Sequence, residues 1–195
     1  VGADATLQVC PYYNKPTQEG LYRHFAAIAE QVDLPMVLYN VPGRTAVSMA
    51  PQIVARLAQL KNVVAIKEAS GSMDQTSEIL SLCDITVLSG DDSLTLPLMA
   101  IGAKGVISVV ANIVPADVHQ LTVAALKGDF AAALQMHRKL FPLCRAMFFE
   151  TNPIPVKTAC GILKLCSPEL RLPLCEMSSD ARKKMEQAMK EYGLI

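Results

Sequence analysis

The residue with the clearest chemical potential is a lysine at the end of an apolar run. Val63 to Ile66 are consecutive apolar residues, mostly β-branched, and Lys67 follows them directly. Such a run is typical of a buried strand in a parallel sheet. When a lysine side chain projects from a strand end into a closed interior, burying its positive charge is costly. Desolvation therefore lowers the pKa of the amine and exposes its lone pair. A neutral, nucleophilic amine of this kind is what Schiff-base chemistry with a ketone requires.

A structural role for Lys67 is the alternative. Side chains alternate across a strand, so Lys67 shares a face with Val63 and Ala65, while Glu68 points the other way with Val64. A lysine can also extend to the rim of a fold and pair with a carboxylate, and Glu68 is the nearest candidate. Because ion pairs also occur at strand ends, the rest of the sequence must decide between the two roles.

Two further side chains could act with such an amine. Tyr39 stands near the end of the preceding predicted strand, where a phenol could exchange protons with a carbinolamine or enamine on its neighbour. Arg44 follows in a tight turn formed by Pro42 and Gly43, and a guanidinium at a pocket mouth suits a carboxylate substrate. The structural alternatives are a rim tyrosine bonded to backbone and a solvated surface arginine.

Predicted strands and helices alternate five times along the chain. The strands are predicted at 5–10, 34–40, 62–69, 85–89 and 105–110, a spacing that suits βαβ units. The helices between and after them are predicted to start at caps provided by Thr17, Ser48, Asp74 and Asp92, and at Val114. Beyond Gly128 the pattern is helical only, at 129–149, 155–165 and 179–192. We therefore divide the chain into a barrel part, 1–128, and a C-terminal helical region, 129–195.

Two α/β architectures fit this alternation. A doubly wound sheet would need a glycine-rich phosphate loop after its first strand, and no such motif stands there. In a (β/α)₈ TIM barrel, functional groups gather at the carboxyl ends of the strands, as Tyr39, Lys67, Asp91 and Ser108 do here. The sequence therefore predicts a TIM barrel of which this chain supplies five strands, corresponding to strands 4–8.

Bulk properties exclude several classes of function. The 195 residues carry no formal net charge, which argues against a nucleic-acid surface. No apolar run approaches the ~20 residues needed to cross a bilayer. The six cysteines form no C-x-x-C pair and have no histidines at zinc spacing, so we expect buried free thiols in a reducing cytoplasm and no metal. Asp91 and Asp92 could suggest a cation site, but Asp92 is predicted to cap the helix at Ser93 instead.

Six segments of the sequence carry a resemblance to a known family. They are Pro11–Pro16 (PYYNKP), Tyr39–Thr45 (YNVPGRT), Ile66–Ser70 (IKEAS), Ser89–Asp92 (SGDD), Gly105–Ser108 (GVIS) and Asn152–Lys157 (NPIPVK). Together they resemble the dihydrodipicolinate synthase family, and the resemblance extends over essentially the whole chain. The lysine strand alone would also fit the wider pyruvate-dependent aldolase superfamily, including N-acetylneuraminate lyase, whereas Arg44 after its Pro-Gly turn resembles the synthase.

The resemblance implies a carbon-oxygen lyase that condenses pyruvate with L-aspartate 4-semialdehyde to 4-hydroxy-tetrahydrodipicolinate, in lysine and diaminopimelate synthesis. Lys67 would form the Schiff base, and Tyr39 would be the proton donor and acceptor. Arg44 would bind the semialdehyde carboxylate, and the backbone of Ile107 would line the pyruvate side of the site. No metal or organic cofactor is implied.

The resemblance also implies an assembly. Tyr13 would cross a tight-dimer interface into the proton relay of a neighbouring subunit, and Tyr12 matches a position near the lysine feedback site of regulated members. We therefore expect a cytoplasmic homo-oligomer, a dimer or tetramer.

The family barrel begins three βα units upstream of the first residue of this sequence. Those units carry a Gly-Thr-Thr-Gly-Glu stretch, whose second threonine links the two relay tyrosines, and no such stretch occurs here. We expect the chain to be the C-terminal two-thirds of a barrel. The alternatives left open are a pyruvate-dependent sugar-acid lyase of the N-acetylneuraminate lyase type and an inactive barrel fragment that needs a partner.

Overall fold

A computed structural model describes residues 2–195, so the first residue of the predicted barrel part, Val1, lies outside the description. The chain divides into two compact units, the first ending at Ile107 and the second comprising Ser108–Ile195. The first unit holds the five predicted strands, and the second is helical. The predicted boundary between a barrel part, 1–128, and a C-terminal helical region, 129–195, remains a prediction.

The first unit alternates strands and helices as predicted. Its strands are β1 (Thr6–Val9), β2 (Met36–Asn40), β3 (Val63–Glu68), β4 (Thr86–Ser89) and β5 (Gly105–Val106). Its helices are α1 (Gln18–Gln31), α2 (Pro42–Thr45), α3 (Pro51–Leu57), α4 (Met73–Leu82) and α5 (Thr95–Ala100), with a 3₁₀ turn at Asp92–Leu94.

The strands form one parallel sheet in the order β1-β2-β3-β4-β5. Each strand therefore pairs with its successor in the chain. A doubly wound sheet would reverse this order at a switch point, whereas an arc of a TIM barrel would not. The observed order confirms the predicted α/β barrel class, with five strands present.

The two faces of this sheet differ in composition. The face toward the helices carries the apolar core, in which Leu38, Ile66 and Val87 are fully buried. The opposite face carries Tyr39 and Lys67, because side chains alternate along each strand. The helices close over the core with Leu21, Phe25, Val54, Leu57 and Ile79.

Three of the predicted helix caps lie at the wrong residue. Ser48 does not cap α3, which begins at Pro51 after Ala50; its hydroxyl lies 3.4 Å from the Asn40 amide and 3.5 Å from Gln75 Oε1. Ser72, not Asp74, caps α4, since its hydroxyl accepts a hydrogen bond from the Gln75 N–H. The third error, at Asp92, is described with the candidate site. A capping oxygen must lie two or three residues before the N–H it accepts, and sequence alone does not choose between adjacent polar residues.

The fifth strand is shorter than predicted. It ends at Val106, and the chain beyond Ser108 turns into a 3₁₀ segment at Val110–Asn112. The Ser108 hydroxyl accepts the Ala111 N–H at 2.9 Å and so stabilises this turn. A local hydrogen bond to a serine competes with the extended ladder that the apolar run would otherwise continue.

The second unit consists of α6 (Pro115–Leu126), α7 (Phe130–Ala146), α8 (Ile154–Ile162) and α9 (Ser179–Tyr192). Helix α9 packs on α7 and buries Met185 and Met189, which lie one turn apart on the same face of the helix. The chain leaves α9 at Gly193, whose left-handed φ of 88° confirms the predicted boundary. Across residues 2–195, none of the helices is long and apolar enough to span a bilayer.

Candidate active site

Lys67 and Tyr39 lie side by side at the carboxyl ends of two neighbouring strands. The two residues are register partners of β3 and β2, so their side chains leave the same face of the sheet. The Lys67 Nζ atom stands 4.2 Å from the centre of the Tyr39 ring. The structure therefore brings these two predicted site residues together.

Partial burial makes both side chains less ionised than in water. Burial lowers the pKa of the Lys67 ammonium; the Asp92 carboxylate opposes this and the Arg44 guanidinium adds to it. Burial likewise raises the pKa of the Tyr39 phenol, against the attraction of Arg44. Both directions favour the neutral amine and the neutral phenol, which are the forms that nucleophilic attack and proton donation need.

Arg44 lies in the short helix α2, directly after β2, and its side chain is exposed. Its charge acts on both Tyr39 and Lys67, since it lowers the pKa of each. The predicted Pro-Gly turn is thus one turn of helix, and it places the guanidinium near the amine with access to solvent.

Glu68 is not the partner of Lys67. Its carboxylate lies on the opposite face of the sheet, 2% exposed, and accepts hydrogen bonds from Asn40, Gln75 and the Ser70 N–H. Strand alternation explains why the ion-pair alternative fails, because adjacent residues cannot share a face.

The Glu68 carboxylate belongs to a buried polar cluster that sequence reasoning missed. Asn40 is fully buried and is the register partner of Glu68; its amide donates to the carboxylate at 3.0 Å and 3.3 Å. Its carbonyl oxygen accepts the Met49 N–H at 3.0 Å, and the Gln75 amide donates to the Met49 carbonyl. We call Asn40, Glu68 and Gln75 the polar clamp. The sequence signal for this cluster is the pair of polar residues, Asn40 and Glu68, at the ends of two strands that are otherwise mostly apolar.

The cap predicted at Asp92 is wrong, because the preceding residue, Asp91, provides it. Asp91 caps the 3₁₀ turn, since its carboxylate accepts the Ser93 N–H at 3.1 Å and the Ser93 hydroxyl at 2.9 Å. Asp92, predicted to be the cap, is instead buried, and its charge raises the pKa of Lys67. Asp92 is therefore an acidic residue of the candidate site, a role that the sequence prediction of a helix cap missed.

Ile107 follows β5 at the same end of the sheet. Its N–H donates to the Ser89 carbonyl at 2.9 Å and extends the β4–β5 ladder beyond the strand itself. The backbone at Ile107 is thus fixed at the strand-end side of the first unit, where the family resemblance implies the pyruvate side of the site.

Tyr12 and Tyr13 are not part of this group within the chain. Both lie in the loop after β1, and their side chains are 68% and 93% exposed. Tyr13 adopts a left-handed φ of 65°, an uncommon conformation for a residue with a side chain. The loop therefore presents two aromatic rings outward.

All six cysteines are free thiols, but only Cys10 and Cys144 are buried. The expectation of buried thiols is wrong for Cys166 and Cys175, which are exposed. Burial, with the nearby Glu68 carboxylate, raises the pKa of the Cys10 thiol to about 12. Its sulfur lies 4.0 Å from the Asn40 amide oxygen, at the edge of the polar clamp. Among the described residues no three His, Cys, Asp or Glu side chains form a group that could hold a metal ion.

Comparison with known proteins points to one family. Residues 1–192 match the dihydrodipicolinate synthetase family. The 4-hydroxy-tetrahydrodipicolinate synthase of Geobacter sulfurreducens is 60% identical over 196 residues, an alignment that covers 100% of this chain and 68% of that protein.

Solved structures agree with the sequence match. The dihydrodipicolinate synthase of Aquifex aeolicus superposes with a TM-score of 0.97 at 52% identity, covering 99% of this chain and 67% of that one. A dihydrodipicolinate synthase from Acinetobacter baumannii, complexed with pyruvate, gives 0.96 at 43% identity and covers 100% of this chain and 67% of its own. By sequence and by fold, the chain belongs to the dihydrodipicolinate synthetase family.

Proposed function

We propose that the protein condenses pyruvate with L-aspartate 4-semialdehyde through an imine on Lys67, giving 4-hydroxy-tetrahydrodipicolinate. The observation that carries the proposal is the amine of Lys67, which lies partly buried 4.2 Å from the centre of the Tyr39 ring at the strand ends of a barrel sheet. The names of the relatives, and the pyruvate complex of the Acinetobacter baumannii protein, support this choice of substrates.

The first step needs an unprotonated amine. The Lys67 lone pair attacks the keto carbon of pyruvate, and loss of water from the carbinolamine leaves the imine. Loss of a methyl proton then gives an enamine, whose carbon attacks the semialdehyde. Burial lowers the pKa of Lys67 and so raises the share of amine that can begin this sequence at neutral pH.

Tyr39 and Arg44 have different roles in this proposal. The Tyr39 phenol moves the protons of the carbinolamine and enamine, because its strand position keeps it against the amine. The exposed Arg44 guanidinium receives the carboxylate of the incoming semialdehyde, for which a planar pair of donors is well suited. The fixed backbone at Ile107 lines the pyruvate side. These roles need no metal or organic cofactor.

The outward-facing Tyr13 supports a homo-oligomer as part of the same proposal. A tyrosine ring that is 93% exposed on a loop is accessible to a second copy of the chain and can enter its site. Tyr12, beside it, would lie near a lysine-binding feedback site. The exposed free thiols of Cys166 and Cys175 fit a reducing compartment, so we place the enzyme in the cytoplasm.

Reductive trapping tests the imine. Borohydride added with pyruvate should convert the imine to a stable secondary amine on Lys67, located by peptide mass spectrometry, and Lys67→Ala should abolish both the adduct and the activity. Lys104→Ala, which removes an exposed lysine of the same unit, is the matched control and should trap normally. Normal activity without an adduct on Lys67 would refute the mechanism.

Arg44 separates the synthase from the sugar-acid lyase that also uses a pyruvate imine. Arg44→Ala should impair use of the semialdehyde far more than trapping of pyruvate. Equal use of sugar acids and semialdehyde by the wild-type protein would favour the lyase. An inactive barrel fragment is distinguished from an active enzyme by two measurements on the chain alone. Sedimentation should show that the fragment assembles only with a partner, and trapping with pyruvate should give little adduct.

A further inference from the structure

Gly90 stands directly after β4, beside the amine-bearing strand. Its N–H donates to the Glu68 carbonyl at 2.7 Å, so the ladder between β3 and β4 continues through it. The φ of Gly90 lies outside the left-handed region, so its backbone does not itself demand glycine. The requirement for glycine therefore comes from the space that a side chain at this position would occupy.

That space is occupied by Lys67 and its neighbour. A Cβ atom on Gly90 would lie 2.7 Å from the Ala69 Cβ, 3.0 Å from the Lys67 Cε and 3.1 Å from the Lys67 Cγ. Real Cβ contacts are longer, so something would have to move. The Ala69 Cβ is fixed by its backbone, whose N–H donates to the Asn40 carbonyl at 2.9 Å. The lysine stem can rotate, but any rotation moves the terminal nitrogen.

We propose that Gly90 is a positioning residue, whose missing side chain leaves room for the Lys67 stem and thereby sets where the amine stands against Tyr39. This inference rests on the proposed role of Lys67. Gly90 has no side chain that could contact the keto acid, so it acts through the position of the lysine. A methyl group at this position displaces the Lys67 stem, and with it the Nζ atom, from the Tyr39 ring. Proton transfer and imine formation both depend on that placement.

The two contacts of the added methyl can be separated by substitution. In Gly90→Ala the methyl meets both Ala69 and Lys67, so we expect a lower melting temperature and slow trapping of pyruvate. In the double variant Gly90→Ala/Ala69→Gly the fixed contact is gone, whereas the contact with the lysine stem remains. Ala69→Gly alone is the matched control, because it has the same glycine at 69 without the added methyl.

The readout is the trapping rate at saturating pyruvate, set beside the melting temperature. We expect the double variant to regain the melting temperature of Ala69→Gly but to trap pyruvate at least about tenfold more slowly, with an altered pH dependence. A role in packing alone predicts that both recover together. A double variant that traps as fast as Ala69→Gly would overturn the proposal, and so would one that fails to regain stability.

The wild-type protein keeps this test apart from the test of the imine itself. If wild-type protein forms no adduct on Lys67, the proposed function fails. If wild-type protein traps pyruvate and the double variant does so equally well, only the role of Gly90 fails.

Discussion

At the scale of single residues, the reactivity of Lys67 depends on two charges of opposite sign as well as on burial. Burial is the largest influence on its pKa and lowers it. The Asp92 carboxylate acts against burial and raises the pKa, because a nearby anion favours the ammonium form. The Arg44 guanidinium acts with burial and lowers it. The fraction of free amine at neutral pH is therefore set by three separable contributions.

Removing either charge should shift the pH dependence of imine formation in a known direction. The trapping rate rises with pH as the ammonium loses its proton, with a midpoint at the Lys67 pKa. Asp92→Asn should move this midpoint to lower pH, since the anion that favours the ammonium is gone. Arg44→Gln should move it to higher pH. Cyanoborohydride trapping with pyruvate across a pH series measures both shifts.

The control for this experiment is Asp74→Asn, on the exposed first turn of α4. It removes the same charge without facing the amine, so its midpoint should match wild type. Midpoints for Asp92→Asn and Arg44→Gln that shift in the same direction would contradict the assignment of opposite electrostatic effects.

At the scale of elements, the polar clamp connects the strand ends that carry the site. Asn40 and Glu68 follow Tyr39 and Lys67 directly and pair in the same register. Gln75 adds α4, and the Met49 backbone adds the segment before α3. A buried carboxylate is costly unless its oxygens are hydrogen-bonded, and here Asn40, Gln75 and Ser70 supply the donors. The clamp therefore holds β2, β3 and α4 together under the site.

Loss of the Glu68 carboxylate should be strongly destabilising. Glu68→Ala removes the carboxylate that accepts from the buried Asn40 amide and the half-buried Gln75 amide, and we expect the free energy of unfolding to fall by about 3 kcal/mol. Glu68→Gln replaces one acceptor oxygen with a donor and should cost about 1–2 kcal/mol. Urea unfolding measures both changes.

Glu78→Ala, on the exposed side of α4, is the comparison for the clamp. Its carboxylate accepts a hydrogen bond from Gln52 at 2.6 Å in an exposed setting, so we expect a change within about 0.5 kcal/mol. If Glu68→Ala proved no more damaging than Glu78→Ala, the clamp would be ruled out as a main support of the strand ends.

Sequence patterns predicted the elements and the amine better than they predicted the surrounding polar groups. An apolar run ending in Lys67, and a second ending in Tyr39, follow from strand periodicity, and parallel pairing then brings their ends together. The helix caps at Ser72 and Asp91 lie one or two residues from those predicted. Serine and aspartate are both favoured at helix caps, so the sequence does not distinguish between neighbouring candidates. Asp92 and the clamp depend on burial, which is decided by packing between elements far apart in the chain.

At the scale of the whole molecule, the proposal requires more than one copy of the chain. Tyr13 lies on an exposed loop after β1 and holds a left-handed backbone conformation. A side chain turned outward in this way is suited to completing a site in a second subunit. The proton relay would then be an assembled property and would depend on the association of subunits.

Mixing two inactive variants tests whether Tyr13 acts in the neighbouring subunit. Tyr13→Phe lacks the phenol, and Lys67→Ala lacks the amine, so each alone should be nearly inactive. After random exchange of subunits, mixed dimers contain one site with both groups, and roughly a quarter of wild-type activity should return. Activity is assayed before and after exchange.

Tyr22→Phe replaces Tyr13→Phe in the control mixture, because the Tyr22 ring lies on α1 and packs against the Arg56 guanidinium of the same chain. Tyr22→Phe should be active before any exchange. Failure of the Tyr13→Phe and Lys67→Ala mixture to gain activity, while subunits demonstrably exchange, would place Tyr13 outside the relay.

The raised pKa of Cys10 has a practical consequence for following these reactions. With its pKa raised to about 12 and no exposed surface, the Cys10 thiol stays protonated at pH 7. Maleimide reagents, which react with thiolates, should therefore spare it. The exposed Cys166 and Cys175 should react first, so a fluorophore can be attached in the helical unit while the sulfur beside the clamp stays unmodified.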